Sequence, residues 1–315
     1  MPISGAFLVL AFRDGDPAAV WRALVAARSG YVALAAALFL AGFLLMALRW
    51  RLLLQPIAPV GLGRALSLLM IGYMVNYLVP GRLGEVTRSY LLGTFAGASR
   101  TAALATVLVE KVVDGLVLLA CLGLLLRLVP LPTGAEAMGI YGSIVFLGVG
   151  GALVAARLCQ PEVRWLSRRS LGRIPRIGRR AVGLVDAFGA GLATIELSRR
   201  AALVVILSVA IWGQATLAMY ALMLGLGIEL TPYAALVLIV ALALGSMIPS
   251  APGFIGTYQF VTVNVLAGFE VSRNDALALS VLVHATEYLL VLGAGLLALA
   301  AERMSFYRLF AVARE

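Results

Sequence analysis

Three groups of residues could do chemistry in this chain, each set in an otherwise apolar sequence. The first is Arg82, Glu85 and Arg88, just after Pro80-Gly81 in NYLVPGRLGEVTR (76–88). Their i, i+3 steps let Glu85 touch both arginines on one helix face. A helix N-terminus beside Arg82 suits an anion such as a lipid phosphate. The same residues could instead form an Arg-Glu-Arg clasp that only ties the segment together. Asn76, one turn before Pro80, can bond backbone carbonyls freed by a break there. The second group is Glu110 and Asp114, one helical turn apart, with Lys111 within reach of Asp114. One of these carboxylates could neutralise an arginine of the first group, or bind a proton and couple transport to it. A plain ion pair is the competing account. The third group is His284 with Glu287 three residues on, preceded by a second Pro-Gly at Pro252-Gly253 with Tyr258 and Gln259 after it. His284 and Glu287 could relay protons or form a structural pair, and Tyr258 and Gln259 would supply neutral hydrogen bonds.

Composition decides the setting of these groups. Of 315 residues, 62% are hydrophobic and only 13% are charged, with a mean hydropathy of +1.02. A soluble domain needs a more polar surface than that. Several runs near the ~20 residues that cross a bilayer core as helix are almost free of charge. They are continuously apolar rather than alternating, which disfavours a β-barrel. An ionisable side chain at membrane depth costs at least a few kcal/mol, so the three groups should face inward, paired or functional.

The expected spans are Tyr31 to Trp50, Thr101 to Leu128, Met138 to Leu158, Ala201 to Leu226 and Ala276 to Ala300. Residues 3–12 are apolar but short, a marginal or truncated first membrane helix. Two further apolar segments, Ala65–Val79 and Pro232–Pro249, each run into a Pro-Gly element. Such breaks mark interrupted or re-entrant helices, tolerated where protein or a cavity covers the freed backbone groups.

The net charge of +10 is almost all arginine, Lys111 being the single lysine. Nine arginines fall between Cys159 and Arg200. The positive-inside rule puts this loop in the cytoplasm, where it can meet anionic inner-leaflet lipid. Val182, Val185, Leu192 and Ile195 recur at helical spacing, so part of it could be an amphipathic helix on the leaflet. Counting crossings from there makes Arg49, Arg51, Arg64 and Arg100 cytoplasmic, along with a C-terminus carrying Arg303, Arg308 and Arg314. Nucleic acid is not an expected partner. Cys121 and Cys159 are isolated, with neither disulfide nor metal spacing. One histidine and scattered acids do not make a metal site, and no cofactor is expected. No G-x-S-x-G, Walker A, H-E-x-x-H or dinucleotide fingerprint occurs, so no catalytic residue is assigned.

Pro80-Gly81-Arg82-Leu83-Gly84 is echoed by Pro252-Gly253-Phe254-Ile255-Gly256. Each is followed about thirty residues on by an acid within a long helix: Glu110, then Glu287. By the crossing count the first copy enters from the cytoplasm and the second from outside, the arrangement of an inverted repeat with its binding site at the midplane. The alternative is that both are simple kinks. The expected architecture is therefore an all-α polytopic membrane protein with about six to eight membrane helices. It contains two inverted, Pro-Gly-broken re-entrant hairpins. A first pseudo-repeat spans 1–158, a basic cytoplasmic loop 159–200 and a second pseudo-repeat 201–315.

At these residues the chain resembles the lysylphosphatidylglycerol synthase transmembrane-domain family, the flippase-like integral membrane proteins. The resemblance is carried by RWRLLL (49–54), NYLVPGRLGEVTRSYLL (76–92), TAALATVLVEKVVDG (101–115), PSAPGFIGTYQ (249–259) and HATEY (284–288). It implies an all-helical bacterial inner-membrane fold that moves, or helps move, a phospholipid or lipid-linked molecule between leaflets. It singles out Arg82, Glu85, Arg88, Glu110, Asp114, Pro252, Gly253 and Glu287. The chain departs from the family pattern at its short first helix and at Lys111, where arginine is common. Members that make aminoacylated lipid carry a soluble aminoacyltransferase domain after the membrane part. This sequence stops at Glu315, so aminoacyl transfer is expected to be absent. The expected site gathers Asn76, Arg82, Glu85, Arg88, Glu110, Asp114, Gly253, Tyr258, His284 and Glu287 around a lipid headgroup. Two other classes stay open: an integral-membrane enzyme on lipid or polyprenyl phosphate, and a non-catalytic partner of a separate soluble synthase. A homo-oligomer is compatible with each.

Overall fold

The computed structural model describes residues 2–13, 15–128, 135–158, 199–246 and 251–304. Among them every regular element is helical. In chain order these are α1 (Pro2–Phe12), α2 (Pro17–Ala26), α3 (Ser29–Leu54), α4 (Leu62–Leu78), α5 (Gly84–Ala96), α6 (Arg100–Leu128) and α7 (Ala135–Leu158). They are followed by α8 (Arg199–Gly225), α9 (Pro232–Gly245), a 3-10 turn (Pro252–Phe254), α10 (Thr257–Ala267) and α11 (Arg273–Ala301). The five segments expected as spans are helical, as α3, α6, α7, α8 and α11. By length and composition, α3, α8 and α11 can each cross a membrane. Large apolar side chains that face outward, such as Leu44, Ile144, Ile206 and Leu297, are what a lipid-contacting surface requires.

The two Pro-Gly segments interrupt helices as expected. α4 has 17 residues, about 25 Å at 1.5 Å per residue, and α9 has 14. Both are shorter than the ~20 residues of a full span. Residues 3–12 lie in α1, whose Phe7 ring stacks on Phe260 of α10 at 4.5 Å. α2, not expected from the sequence, begins at Pro17, and the Asp16 carboxylate caps it by accepting from Ala18 N at 2.9 Å. The basic 159–198 segment, its amphipathic pattern and the tail from residue 305 lie outside the described residues.

Two apolar cores form. One gathers Phe39, Leu222, Leu238, Leu266 and Leu279 from α3, α8, α9, α10 and the first half of α11. The other gathers Trp50, Leu68, Met74, Leu92 and Leu299 from the end of α3, α4, α5 and the last half of α11. α3 lies along α8, and α11 lies along α4. The long helices α3 and α11 thus pass through both cores and fix the two broken segments against each other.

The ends of the broken segments sit at opposite ends of the molecule. The start of α4 and the end of α5 lie near the end of α11, where Arg64 pairs with Glu302 at 3.6 Å and a cleft is lined by Gly61, Ala98 and Glu302. The start of α9 follows the end of α8, which meets the start of α3 through Arg28 N donating to Gly225 O at 2.9 Å. The end of α10 leads directly into the start of α11.

Candidate functional site

The first break is built by Asn76. Its side-chain oxygen accepts from Gly84 N at 2.7 Å, and its amide donates to Glu85 at 3.1 Å. The sequence pointed Asn76 at carbonyls freed by the break. It instead satisfies an amide at the start of α5, because a helix N-terminus leaves donors, not acceptors, without partners. Gly72 and Gly84 let α4 and α5 touch: a Cβ on Gly84 would collide with Gly72 O and with the Asn76 side chain. Arg82 sits at the turn in a left-handed conformation, φ 54°. From there it reaches the second broken segment, donating to Ser246 O at 3.0 Å and lying 5.4 Å from the Phe254 ring centre. It also pairs loosely with Glu85 at 3.9 Å.

The second break is held by neutral groups. Gly253 is left-handed at φ 63°, and a Cβ there would overlap Tyr288. Gly256 N donates to Gln259 Oε1 at 2.7 Å, which leaves the Gln259 amide to face His284 Nδ1 at 3.2 Å. His284 Nε2 lies 2.6 Å from Gly253 O, so Nε2 carries the proton and Nδ1 accepts. His284 is thus engaged on both ring nitrogens, and it is not bonded to Glu287. The spacing that suggested a His-Glu pair turns Glu287 elsewhere: it accepts from Tyr77 at 2.8 Å and from Tyr258 at 3.5 Å. Among the described residues Glu287 has no ion-pair partner.

Behind the first break lies a buried ionic lattice. Arg49 bonds Glu110 at 2.8 Å, Ser208 at 2.7 Å and both oxygens of Asp114. Arg88 bonds the other Glu110 oxygen at 3.0 Å and lies over the Trp50 ring at 4.8 Å. Trp212 Nε1 donates to Asp114 at 3.1 Å. Arg49, Arg88 and Glu110 are buried, at 1%, 4% and 0% exposure. The expectation that Glu110 or Asp114 neutralises an arginine of the first group is met by Glu110 and Arg88. The direct clasp of Glu85 with Arg88 does not form; Glu85 pairs with Lys111 at 3.5 Å instead.

Arg49 is missing from the expected site. The sequence groups it with Arg51 at the cytoplasmic end of the first expected span, but the two lie on different faces of α3. Arg51 is exposed and donates to Val60 O at 3.2 Å, while Arg49 points into the bundle. The signal was available in its neighbour: Trp50 beside an arginine at the end of an apolar run.

A cavity of about 220 Å³ opens where the two broken segments meet. Asn76, Tyr77, Arg82 and Glu85 line it from the first, Phe254 and Tyr258 from the second, and Glu287 from α11. Of the ten expected site residues, five face this cavity: Asn76, Arg82, Glu85, Tyr258 and Glu287. Arg88, Glu110 and Asp114 stand behind it in the ionic lattice, and Gly253 and His284 shape the second break. Trp212 and Gln214 of α8 also line it and were not expected; Gln214 Oε1 is buried with no hydrogen-bond partner among the described residues. Near the first break, Arg49, Arg82, Arg88 and Lys111 face Glu85, Glu110 and Asp114, four cations against three carboxylates. Arg82 is the most exposed member, at 42% of its side chain. Among the described residues no group of acids, histidines and cysteines is arranged to hold a metal.

A multi-pass helical bundle with outward apolar faces and an enclosed polar site defines an integral membrane protein. The chain belongs to the family described as the lysylphosphatidylglycerol synthase TM region, whose model matches residues 2–295. It is also similar to a curated protein named glycosyltransferase AglD, from Haloferax volcanii, at 25% identity over 307 residues. That match covers 86% of this chain and 49% of the relative, so the chain spans about half the relative's length. No solved structure matches.

Proposed function

We propose that this protein translocates a phospholipid or lipid-linked molecule, with the headgroup held between the two broken segments. The observation that carries the reading is the shared cavity, with Arg82 and Glu85 on one side and Phe254 and Tyr258 on the other. Arg82 supplies the excess positive charge, and its guanidinium matches a phosphate. At about 220 Å³ the space falls below the ~300–1,000 Å³ of pockets that enclose a whole drug-sized ligand. It suits a headgroup whose chains remain outside.

In this proposal the two Pro-Gly segments are re-entrant hairpins of an inverted repeat, 1–158 and 201–315, joined by the basic 159–200 loop. The ends of the segments lie at opposite ends of the molecule, which supports that arrangement. In this reading the protein sits in a bacterial inner membrane; the arginines support a cytoplasmic loop and C-terminus, with 159–200 against anionic lipid. The test is transport in proteoliposomes, using short-chain fluorescent phosphatidylglycerol, phosphatidylethanolamine and polyprenyl phosphate as probes and an impermeant quencher. Probe should leave the quencher-accessible leaflet faster than in protein-free vesicles. Equal rates for every probe would defeat the proposal.

The relative is named a glycosyltransferase, which favours one second reading, an enzyme; in this proposal's setting it would act on lipid or polyprenyl phosphate. Glu110 and His284 fit an acid-base role poorly, because both are fully engaged by protein partners. A covalent change in extracted lipid, rather than relocation, would select this reading.

A further inference from the structure

We infer that the seam between α3, α4 and α11 is a binding groove for one hydrocarbon chain of the lipid whose headgroup occupies the cavity. The inference rests on the lipid reading above and adds a second, apolar half to the site. The seam contains a separate space of about 370 Å³. Its walls are Phe43 and Leu44 of α3, Ser67 and Met70 of α4, and Ala294 and Leu297 of α11. Leu44 and Leu297 are exposed, at 46% and 74%, so the groove faces the surface that meets the bilayer.

The groove continues the cavity along the same helices. On α4 the groove ends at Met70 and the cavity begins at Tyr73, one turn further. On α11 the cavity ends at Val291 and the groove begins at Ala294, again one turn. On α3 both are lined by Phe43. Phe43 is therefore the partition between them. Its ring lies 6.4 Å from that of Tyr73, whose hydroxyl is held against Met46 Sδ at 3.3 Å. At Gly295, α11 presses closely on Met74 of α4, with a Cβ there only 2.7 Å from the Met74 Cβ. Where Ala294, Ala298 and Ala301 take over, the small side chains leave the space open. From Ala294 to Ala301 the groove runs about 10 Å at 1.5 Å per residue, enough to align part of a chain. Its occupant needs a polar end reaching past Phe43 and an apolar end in the membrane, which is the form of a lipid.

The test is photolabelling of the full chain in phosphatidylethanolamine–phosphatidylglycerol vesicles. One arm carries a trace of phospholipid with a diazirine in its acyl chain, the other a diazirine-bearing polyprenyl phosphate. Labelled peptides are mapped by mass spectrometry. In at least one arm, labelling at 40–44 and 294–301 should exceed that of the outward α7 face at Ile140 and Ile144 several-fold, and the arm that does so tells the chain type. Ala294→Phe and, from the opposite wall, Ser67→Phe should each remove the excess, while Phe43→Ala should extend labelling to 73–77. Even labelling of all lipid-facing helices in both arms overturns the groove, as does an excess that survives both phenylalanines. Transport is scored separately. Groove labelling without transport removes the translocase reading alone, and transport with even labelling removes the groove alone.

Discussion

Two arginines six positions apart illustrate how residue-scale context divides structure from function. Arg88 is buried on Glu110 and Trp50, whereas Arg82 is partly exposed at the rim of the cavity. Removing one member of a buried ion pair leaves a charge without compensation, at a cost of ~3–5 kcal/mol. Arg88→Ala should therefore lower the unfolding temperature in detergent strongly, and transport with it. Arg49→Lys should resemble it, because one ammonium cannot serve Glu110, Asp114 and Ser208 as the guanidinium fork does. Arg82→Ala should leave the unfolding temperature nearly unchanged, its exposed pair contributing about 0–1 kcal/mol, while transport falls. Equal thermal losses for Arg82→Ala and Arg88→Ala would remove this division of roles. Glu85→Gln belongs with Arg82: it frees Arg82 and Lys111 from their shared carboxylate and should slow transport more than it destabilises. The charged members of this site were readable in the sequence because charge is conspicuous in an apolar chain. Their pairing was readable only in part: an acid of the second group was expected against an arginine of the first, and Glu110 meets Arg88. Spacing along one helix shows which residues share a face, but Glu85 finds Lys111, and Arg49 finds Asp114, across helices. The aromatic and amide lining, Tyr77, Trp212 and Gln214, looks in sequence like any other membrane-helix residue.

At the element scale the two breaks have different construction. The first relies on two backbones in contact, with Gly72 O and the Asn76 side chain occupying the place of a Cβ on Gly84. Gly84→Ala should force α4 and α5 apart and destabilise by ~1–3 kcal/mol, the usual cost of overpacking. Its melting transition in detergent should fall, and Asn76→Ala should add little further loss, since both disrupt the same junction. Full additivity of the two changes would show that the junction is not shared. The second break relies on a left-handed glycine, so Gly253→Ala should cost ~1–2 kcal/mol from backbone conformation, beyond its clash with Tyr288. The elements themselves were largely legible: long apolar runs gave α3, α6, α7, α8 and α11, and Pro-Gly marked both interruptions. α2 was overlooked although Asp16-Pro17 is a helix-start signal, because ten residues of moderate hydrophobicity do not stand out beside full spans. The docking of α1 on α10 depends on a ring stack between residues some 250 positions apart, which no local pattern reveals.

For the whole molecule, the decisive question is whether the two broken segments open to opposite sides of the membrane. Gly61 and Ala98 flank the first segment and lie near the end of α11 beside Glu302. Glu229 and Glu270 flank the second, near the end of α8 and the start of α11. α11 connects the two ends and is one of the helices long and apolar enough to span a bilayer. Single cysteines at 61, 98, 229 and 270, introduced after Cys121 and Cys159 are replaced by alanine, should therefore fall into two classes toward an impermeant maleimide. Residues 61 and 98 should label only in inside-out vesicles, since Arg51, Arg64, Arg100 and Arg303 cluster at their end and basic residues favour the cytoplasm. Residues 229 and 270 should label only in right-side-out vesicles. Labelling of all four from one face would mean that α11 does not span, and the inverted arrangement would be lost with it. A consistent swap of the two classes would keep the inverted repeat and reverse its orientation, with the C-terminus outside. The expected pattern places the cavity between an opening on each side, the geometry that lets a bound headgroup reach either leaflet through a small rocking of the segments about α3 and α11.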